Sequence, residues 1–451
     1  MRRGNGSVRH VVSVLAAAGL LAAIATSASA QDIRKRFMKG APLVIEDQGS
    51  FFIGGVPKVT NYNSTADTLP GLGRVPAQIT IGQMYVQFQI PAKKRESPLG
   101  GRTWPVIMVH GSTHTGACLE ATPDGREGWL PYFLQKGISS YVVDQSGRGR
   151  SGFDQSVIHE AEARIDSGDA AGAKRLLPSF GRISDSRAWL IWFGHLVPPG
   201  STILTGRLIR HGDPGDPPTD DSLHADNYRP AYPIPPVPNS VDPSIVARRG
   251  AIGPAPEGPD QYYALNYYKQ LVPNAEVTLP TSRCPTCVPD SLTAANTWTP
   301  RNLATLVEKL GGAIVVTHSQ SGIMGHHMAR ILKEDHKLNL LKGLITIEGS
   351  CSFAASGITA ADFDQIPYMA LKGDYTATSR VCADSAVGAI NARRAAGQGS
   401  ARADYIQLDD PKYGGAYNGT THMMMLGTNN LKVADVILGW VDKWVPGKRT
   451  R

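Results

Sequence analysis

Past its first thirty residues this 451-residue chain has no apolar run approaching the roughly twenty residues that a membrane-spanning helix needs. A transmembrane protein is therefore not expected. No Lys/Arg stripe interleaved with aromatics occurs either, which removes the electrostatic footprint of a nucleic-acid binder. Cysteine is scarce, at five residues. Cys284-Pro-Thr-Cys287 is a CxxC without the second CxxC or His pair that a zinc site requires. His326-His327 are adjacent, and neighbours on a helix face different sides, so they make no chelating pair. One is expected to face the core and the other solvent. Internal repeats and coiled-coil heptads are also missing. No metal, organic cofactor, nucleic-acid partner or membrane span is implied.

The first thirty residues read as an export leader. Arg2, Arg3 and Arg9 form a basic start, Val11 to Ala25 an apolar stretch, and Ala28-Ser29-Ala30 a small-x-small cleavage site, with Gln31 as the expected mature start. A periplasmic or secreted protein is expected, with Sec and twin-arginine export both open. Of the formal charge of +8, three units are leader arginines with no leader acids, leaving +5, part of it in the tail Lys448-Arg449-Thr450-Arg451. In an oxidising compartment the cysteines suggest disulfides: Cys284 with Cys287 as a local loop staple, Cys351 and Cys382 as a second candidate pair, and Cys118 left over, buried and inert.

Short buried runs separated by helical segments argue for an α/β fold, a mostly parallel sheet covered on both faces. Residues 49–57 and 78–91 read as a hairpin. Buried strands follow over 104–109, 138–143, 312–317, 344–347, 368–371 and 405–408. An amphipathic helix over 429–445 closes the chain, with Leu431, Ala434, Ile437 or Leu438, and Val441 on one face. Residues 153–300 break this rhythm. They hold a helical region over 159–177, an aromatic stretch with Trp189, Trp192 and Phe193, and a proline-dense run over 214–259 that cannot be a helix or a central strand. Placed between the fourth and fifth strands, the insertion is expected as a lid above the C-terminal strand ends, where open α/β sheets bind ligands. The organisation is thus a leader (1–30), an N-terminal half of the core (31–152), a lid insertion (153–300) and a C-terminal half of the core (301–451).

Chemistry concentrates at Thr317-His318-Ser319-Gln320-Ser321-Gly322, straight after the apolar run Gly312 to Val316. A strand that ends in small-x-Ser-x-small reads as a nucleophile elbow, a turn so tight that it exposes its serine. A serine hydroxyl needs a base within hydrogen-bond reach, and the base needs an acid. His422, between the last strand and the closing helix, is the only histidine after His336 and fills the base's slot. Two strand-end acids compete, Asp374 in the usual slot of this topology and Glu348 one strand earlier; spacing alone does not separate them. Oxyanion donors are expected from the N–H groups of Gln320 and of Ser112, which follows His110-Gly111. His110 itself is expected to be structural. Met423-Met424-Met425 fits either a pocket wall or packing under the closing helix.

These residues resemble the secreted bacterial esterases of the α/β-hydrolase superfamily, the esterase 713-like group. The similarity lies in Gly49-Ser-Phe-Phe-Ile-Gly-Gly55, Gln83-Met-Tyr-Val86, Thr122-Pro-Asp-Gly-Arg126, Val143-Asp-Gln-Ser-Gly-Arg-Gly-Arg-Ser151, His318-Ser-Gln-Ser-Gly322, Thr421-His-Met-Met-Met425 and Asn429-Asn-Leu-Lys-Val-Ala-Asp435. The resemblance implies a Ser319–Glu348–His422 triad, which selects Glu348 over Asp374, and a disulfide near the acid, fitting Cys351 with Cys382. It also implies two adjacent cysteines after the His-Gly of the oxyanion loop, where this chain has Ser112-Thr113. The lid departs from the group's pattern, so no substrate preference carries over.

The expected protein is an exported serine hydrolase acting on a small-molecule carboxylic ester. The same site could serve an amidase, a lactonase or a polyester hydrolase, and a non-catalytic binding protein on this scaffold is the alternative of another class. A homodimer is compatible with the sequence but not indicated by it.

Overall fold

A computed structural model describes residues 42–63, 76–123, 125–176, 182–183, 188, 192, 267–273, 298–350, 352–353, 356–373, 383–408, 410–413, 416–417, 420–427 and 429–448. The proline-dense run over 214–259, Cys284, Cys287, Cys351, Cys382 and Asp374 lie outside the described residues. Eight strands form one sheet: β1 (Ile45–Thr60), β2 (Ala77–Pro91), β3 (Val106–Val109), β4 (Ser140–Asp144), β5 (Ala313–His318), β6 (Leu341–Ile347), β7 (Tyr368–Lys372) and β8 (Ala403–Gln407). Their spatial order is β1-β2-β4-β3-β5-β6-β7-β8. β1 and β2 pair antiparallel, as does β2 with β4, and all later neighbours are parallel. The expected hairpin is present, and its first strand runs beyond both ends of 49–57. Gly54 and Gly55 lie inside it at positive φ, bending the strand instead of ending it.

Each central strand is buried on both faces because alternate side chains enter two separate cores. Val106 and Met108 of β3, Ile314 and Val316 of β5, Ile345 and Ile347 of β6, and Met369 and Leu371 of β7 face one core. Ile107, Val109, Ala313, Val315, Leu344, Tyr368 and Ala370 face the other. Helices α1 (Ala117–Glu120) and α2 (Trp129–Gln135) lie between β3 and β4; α3 (Ser156–Asp166) and α4 (Ala170–Leu176) follow β4. Then come α5 (Trp298–Lys309), α6 (Ser321–Glu334), α7 (Gly388–Ala395) and α8 (Asn430–Trp444). Helices α2 and α8 cover the first core, and α5, α6 and α7 the second. Val433, Ala434, Ile437, Leu438 and Val441 are the buried stripe of α8, while Leu431 is only partly covered. The helical region over 159–177 is two helices, because Gly168 at φ +84° turns the chain and the Asp169 carboxylate accepts the Gly172 N–H at 2.8 Å.

A buried carboxylate ties the loops after β3 and β4 together. Asp144, fully buried at the end of β4, accepts the Gly116 N–H at 2.7 Å, the Arg150 N–H at 2.9 Å and the Arg150 Nε at 2.9 Å. Burial alone would push this carboxyl up, but Arg150, His110 and the Gly116 N–H overcome it and hold the group below its ordinary range. Asp144→Ala leaves buried donors and a cation without their acceptor. It should cost about 3 kcal/mol or more of stability, read as a lower midpoint in urea unfolding.

Candidate active site

Parallel register lines up the ends of β3, β5 and β6: Val109 pairs with Thr317, Thr317 with Thr346, and His318 with Ile347. The chain turns sharply just beyond. Four non-glycine residues among those described have positive φ, and Thr113, Ser319 and Glu348 are three of them, at 54°, 54° and 51°. Side chains avoid this region, so each is strained, and such strain persists where the surroundings enforce it. Here the enforcement is visible. The Ser319 N–H donates to Ile347 O at 2.8 Å, the Glu348 N–H to Leu371 O at 2.9 Å, and the Gly322 N–H to Ser319 O at 3.0 Å.

Ser319 stands on the turn between β5 and α6 as expected of an elbow. Thr317 and Ser321 fit where glycine is common because both hydroxyls find partners in the turn or on the flanking strands β3 and β6. Ser321 Oγ accepts the His318 N–H at 2.8 Å and lies 3.1 Å from Val109 O; Thr317 Oγ1 donates to Ile345 O at 3.2 Å. The need for small residues moves to neighbouring positions. A Cβ on Gly322 would lie 2.6 Å from Ser350 N, and one on Gly349 2.8 Å from Ser319 O.

Glu348 and His422 meet. Glu348 is 7% exposed; its Oε1 accepts the Gly373 N–H at 2.5 Å, and its Oε2 lies 3.4 Å from His422 Nδ1. The loop carrying His422 is held at both ends. Arg126 donates to Leu426 O and Gly427 O at 3.1 and 2.8 Å, Asn429 Nδ2 donates to Thr420 Oγ1 at 2.9 Å, and Met423, Met424 and Met425 are fully buried in the core. Of the two readings open for the methionines, packing is the one found. His318 links this loop to the elbow: its Nε2–H donates to His422 O at 2.8 Å, and the two rings lie 4.8 Å apart. Among the described residues no hydrogen bond joins Ser319 Oγ to His422. Nucleophile–base contacts in resting sites are often long and tighten as substrate loads.

The loop after β3 closes the third side. A Cβ on Gly111 would lie 2.9 Å from Ser319 Cβ and 2.8 Å from His318 Nδ1, so only glycine lets the Gly111–Ser112 peptide approach the serine. His110 packs as a structural residue: its Nε2 accepts the Gln145 N–H at 3.0 Å and its Nδ1–H donates to Gly111 O at 2.8 Å. Two insertion residues reach the same place. Trp192 stacks over His422 at 6.3 Å and lies tilted against His114 at 5.0 Å, and the Tyr267 hydroxyl lies 3.2 Å from His114 Nε2.

The overall fold is similar to that of a solved protein. A structure described as the atomic resolution structure of a novel bacterial esterase superposes with a TM-score of 0.59 at 26% identity, over 90% of this chain and 98% of that one. The chain is an esterase-like α/β-hydrolase. Over 71 residues it is 37% identical to a probable secreted lipase, phiG, of Fungal sp. (strain ATCC 74256); the match takes in 16% of this chain and spans only a fifth of the length of that curated relative. No family model matches the chain.

Two features of this α/β-hydrolase differ from or exceed what its residues suggested. His326 and His327 are both buried, at 0% and 3% exposure, instead of one facing solvent. Helix α6 packs on β5 and β6 beside α5, and His326 Nε2 contacts the Tyr368 hydroxyl at 3.1 Å, with Phe353 edge-on to the same imidazole. Arg148 is also buried, at 2% exposure, and reaches Gly111 O and the Gln320 side chain. Its place in a loop with a second arginine, Arg150, gave no sign of this. Cys118 is buried and not in a disulfide, with its thiol pushed up first by burial, then by Glu120 and Asp144.

Burial depresses a set of imidazoles in this α/β-hydrolase. His110 and His326 fall to about 3, and His114 and His327 to about 4, from 6.5, with desolvation the largest cause in each. Arg148 lowers His110 and His114 further. The unfolded chain binds protons at these residues below 6.5 and the folded one does not, so stability is full above that pH and lost as pH falls toward 4 and then 3. Histidine NMR titration should show these four rings neutral at pH 5, and unfolding midpoints should already decline between pH 6.5 and 5.

Proposed function

We propose that this chain is an exported serine hydrolase that cleaves small-molecule carboxylic esters through an acyl-enzyme. The observation that carries this reading is the convergence of a strained Ser319, His422 and a buried Glu348 on adjoining strand ends of an esterase-like α/β-hydrolase. Ser319 Oγ attacks the ester carbonyl carbon while His422 Nε2 takes its proton. Glu348 accepts from Nδ1–H, which fixes the tautomer and stabilises the imidazolium. The carbonyl π electrons collect on oxygen, facing the N–H groups of Gln320 and Ser112. Collapse of the adduct expels the alcohol, which takes the proton from His422; water then repeats the sequence and frees the acid. Gly373 supports this role for Glu348, since its N–H satisfies the second carboxylate oxygen and leaves Oε2 for the histidine.

Export after removal of residues 1–30 fits the leader pattern and the likeness to a protein named as a probable secreted lipase. Among the described residues no helix is long and apolar enough to cross a membrane. The lid role of residues 153–300 is supported by Trp192, which stacks on His422 from within the insertion.

Ser319→Ala should lower turnover of a short-chain p-nitrophenyl ester by at least about 10⁴-fold and abolish labelling by a fluorophosphonate, with the unfolding midpoint retained. Turnover close to that of the parent protein would remove the assignment. Glu348→Gln should cost about 10³-fold or more in kcat, and Asp374→Asn much less; the reverse ranking would move the acid to Asp374.

A further inference from the structure

The interaction pointing furthest beyond the triad is the buried guanidinium of Arg148. Its Nη1 donates to Gly111 O at 2.9 Å and its Nη2 to the Gln320 side-chain oxygen. These acceptors belong to the two segments that would supply the oxyanion donors. In a trans peptide the C=O and the following N–H point in opposite directions. Fixing Gly111 O therefore fixes the direction of the Ser112 N–H. The His110 Nδ1–H donates to the same oxygen at 2.8 Å, so both of its lone pairs are engaged. Gln320 is held from its side chain while its own N–H stays with the turn beside Ser319.

We infer that Arg148 is a positioning residue for the oxyanion hole: one rigid fork clamps the peptide that carries the Ser112 N–H and the side chain of Gln320, and its charge strengthens the Ser112 donor. This rests on the reading of Ser319 as nucleophile and adds to it the group that aligns and polarises the two donors. Three observations support it. Arginine's planar fork holds two acceptors from two separate nitrogens in a fixed geometry, which lysine's single ammonium does not reproduce. The group is 2% exposed, so its field is weakly screened. That field is felt at the site, since Arg148 is among the causes that lower both His110 and His114. Gly111 also cannot move aside, with Ser319 and His318 against it.

The test compares the parent protein with Arg148→Met and Arg148→Lys, using p-nitrophenyl butyrate turnover and inhibition by an alkyl boronic acid, which forms a tetrahedral adduct on the serine. Loss of a whole oxyanion donor costs about 10²–10³-fold in kcat; misaligned donors should cost less. Arg148→Met should lower kcat by about 10- to 100-fold with KM within about twofold, and weaken the boronic acid in parallel. Arg148→Lys keeps the charge but loses the fork, and should fall between the two proteins. A role in folding alone would lower the unfolding midpoint and the active fraction without weakening boronic acid binding to the folded protein. A folded Arg148→Met with parental kcat and boronic acid affinity overturns the inference. Should that variant not fold, Arg148→Lys decides: kcat and inhibitor affinity equal to those of the parent overturn it. If the parent itself neither turns over the ester nor reacts with a fluorophosphonate, the esterase reading fails instead.

Discussion

The site depends on how closely three turns can approach one another at the ends of β3, β5 and β6. Parallel register sets these ends level, and the Gly111, Ser319 and Glu348 turns then meet with almost no side chain between them. Two costs follow. Ser319 and Glu348 sit in backbone conformations that side chains disfavour, at roughly 1–3 kcal/mol each. Glycine is required at 111, 322 and 349, where any Cβ would strike neighbouring atoms at under 3 Å. Both costs are borne by strands buried on both faces, whose two cores leave the turns nowhere to relax.

Around this contact the two flanks are built differently. Behind the Gly111 turn lies a polar, hydrogen-bonded layer: Arg148, His110, Gln145 and Asp144, nearly all without solvent contact. Behind the histidine side the packing is mainly apolar, with the three methionines in the core that α8 covers. The polar layer fixes peptide directions, which hydrogen bonds do well. The methionine packing sets the height of a loop whose ends Arg126 and Asn429 tie down.

Much of this was legible before any coordinates. Strands ending in Gly, Ser, Asp and Glu were readable because two-sided burial leaves uninterrupted apolar runs, and His422 because it stands alone in its stretch of chain. Glu348 and Asp374 looked equivalent because both end a strand; only lateral placement brings a Glu348 oxygen to 3.4 Å from His422, while Asp374 lies outside the described residues. Helical spacing predicted one exposed and one buried histidine at 326 and 327, but a helix covered on several sides has no solvent face at that level. Arg148 was illegible for a related reason. Burial of an arginine in a Gly/Arg-rich loop follows from what folds over it, and nothing local in Ser146-Gly-Arg-Gly-Arg150 distinguishes it from Arg150 beside it, whose side chain is 36% exposed.

The buried methionines give the histidine loop a chemical durability that its composition would not suggest. A thioether oxidised to a sulfoxide becomes polar and breaks apolar packing. Three in a row beside His422 would be a weak point under oxidising conditions. Here all three are fully buried in the core that α2 and α8 cover, with Arg126 fastening the next turn of the loop. With no solvent contact in the folded state, they meet an oxidant only after that core opens locally, so the durability of the histidine's position follows that opening.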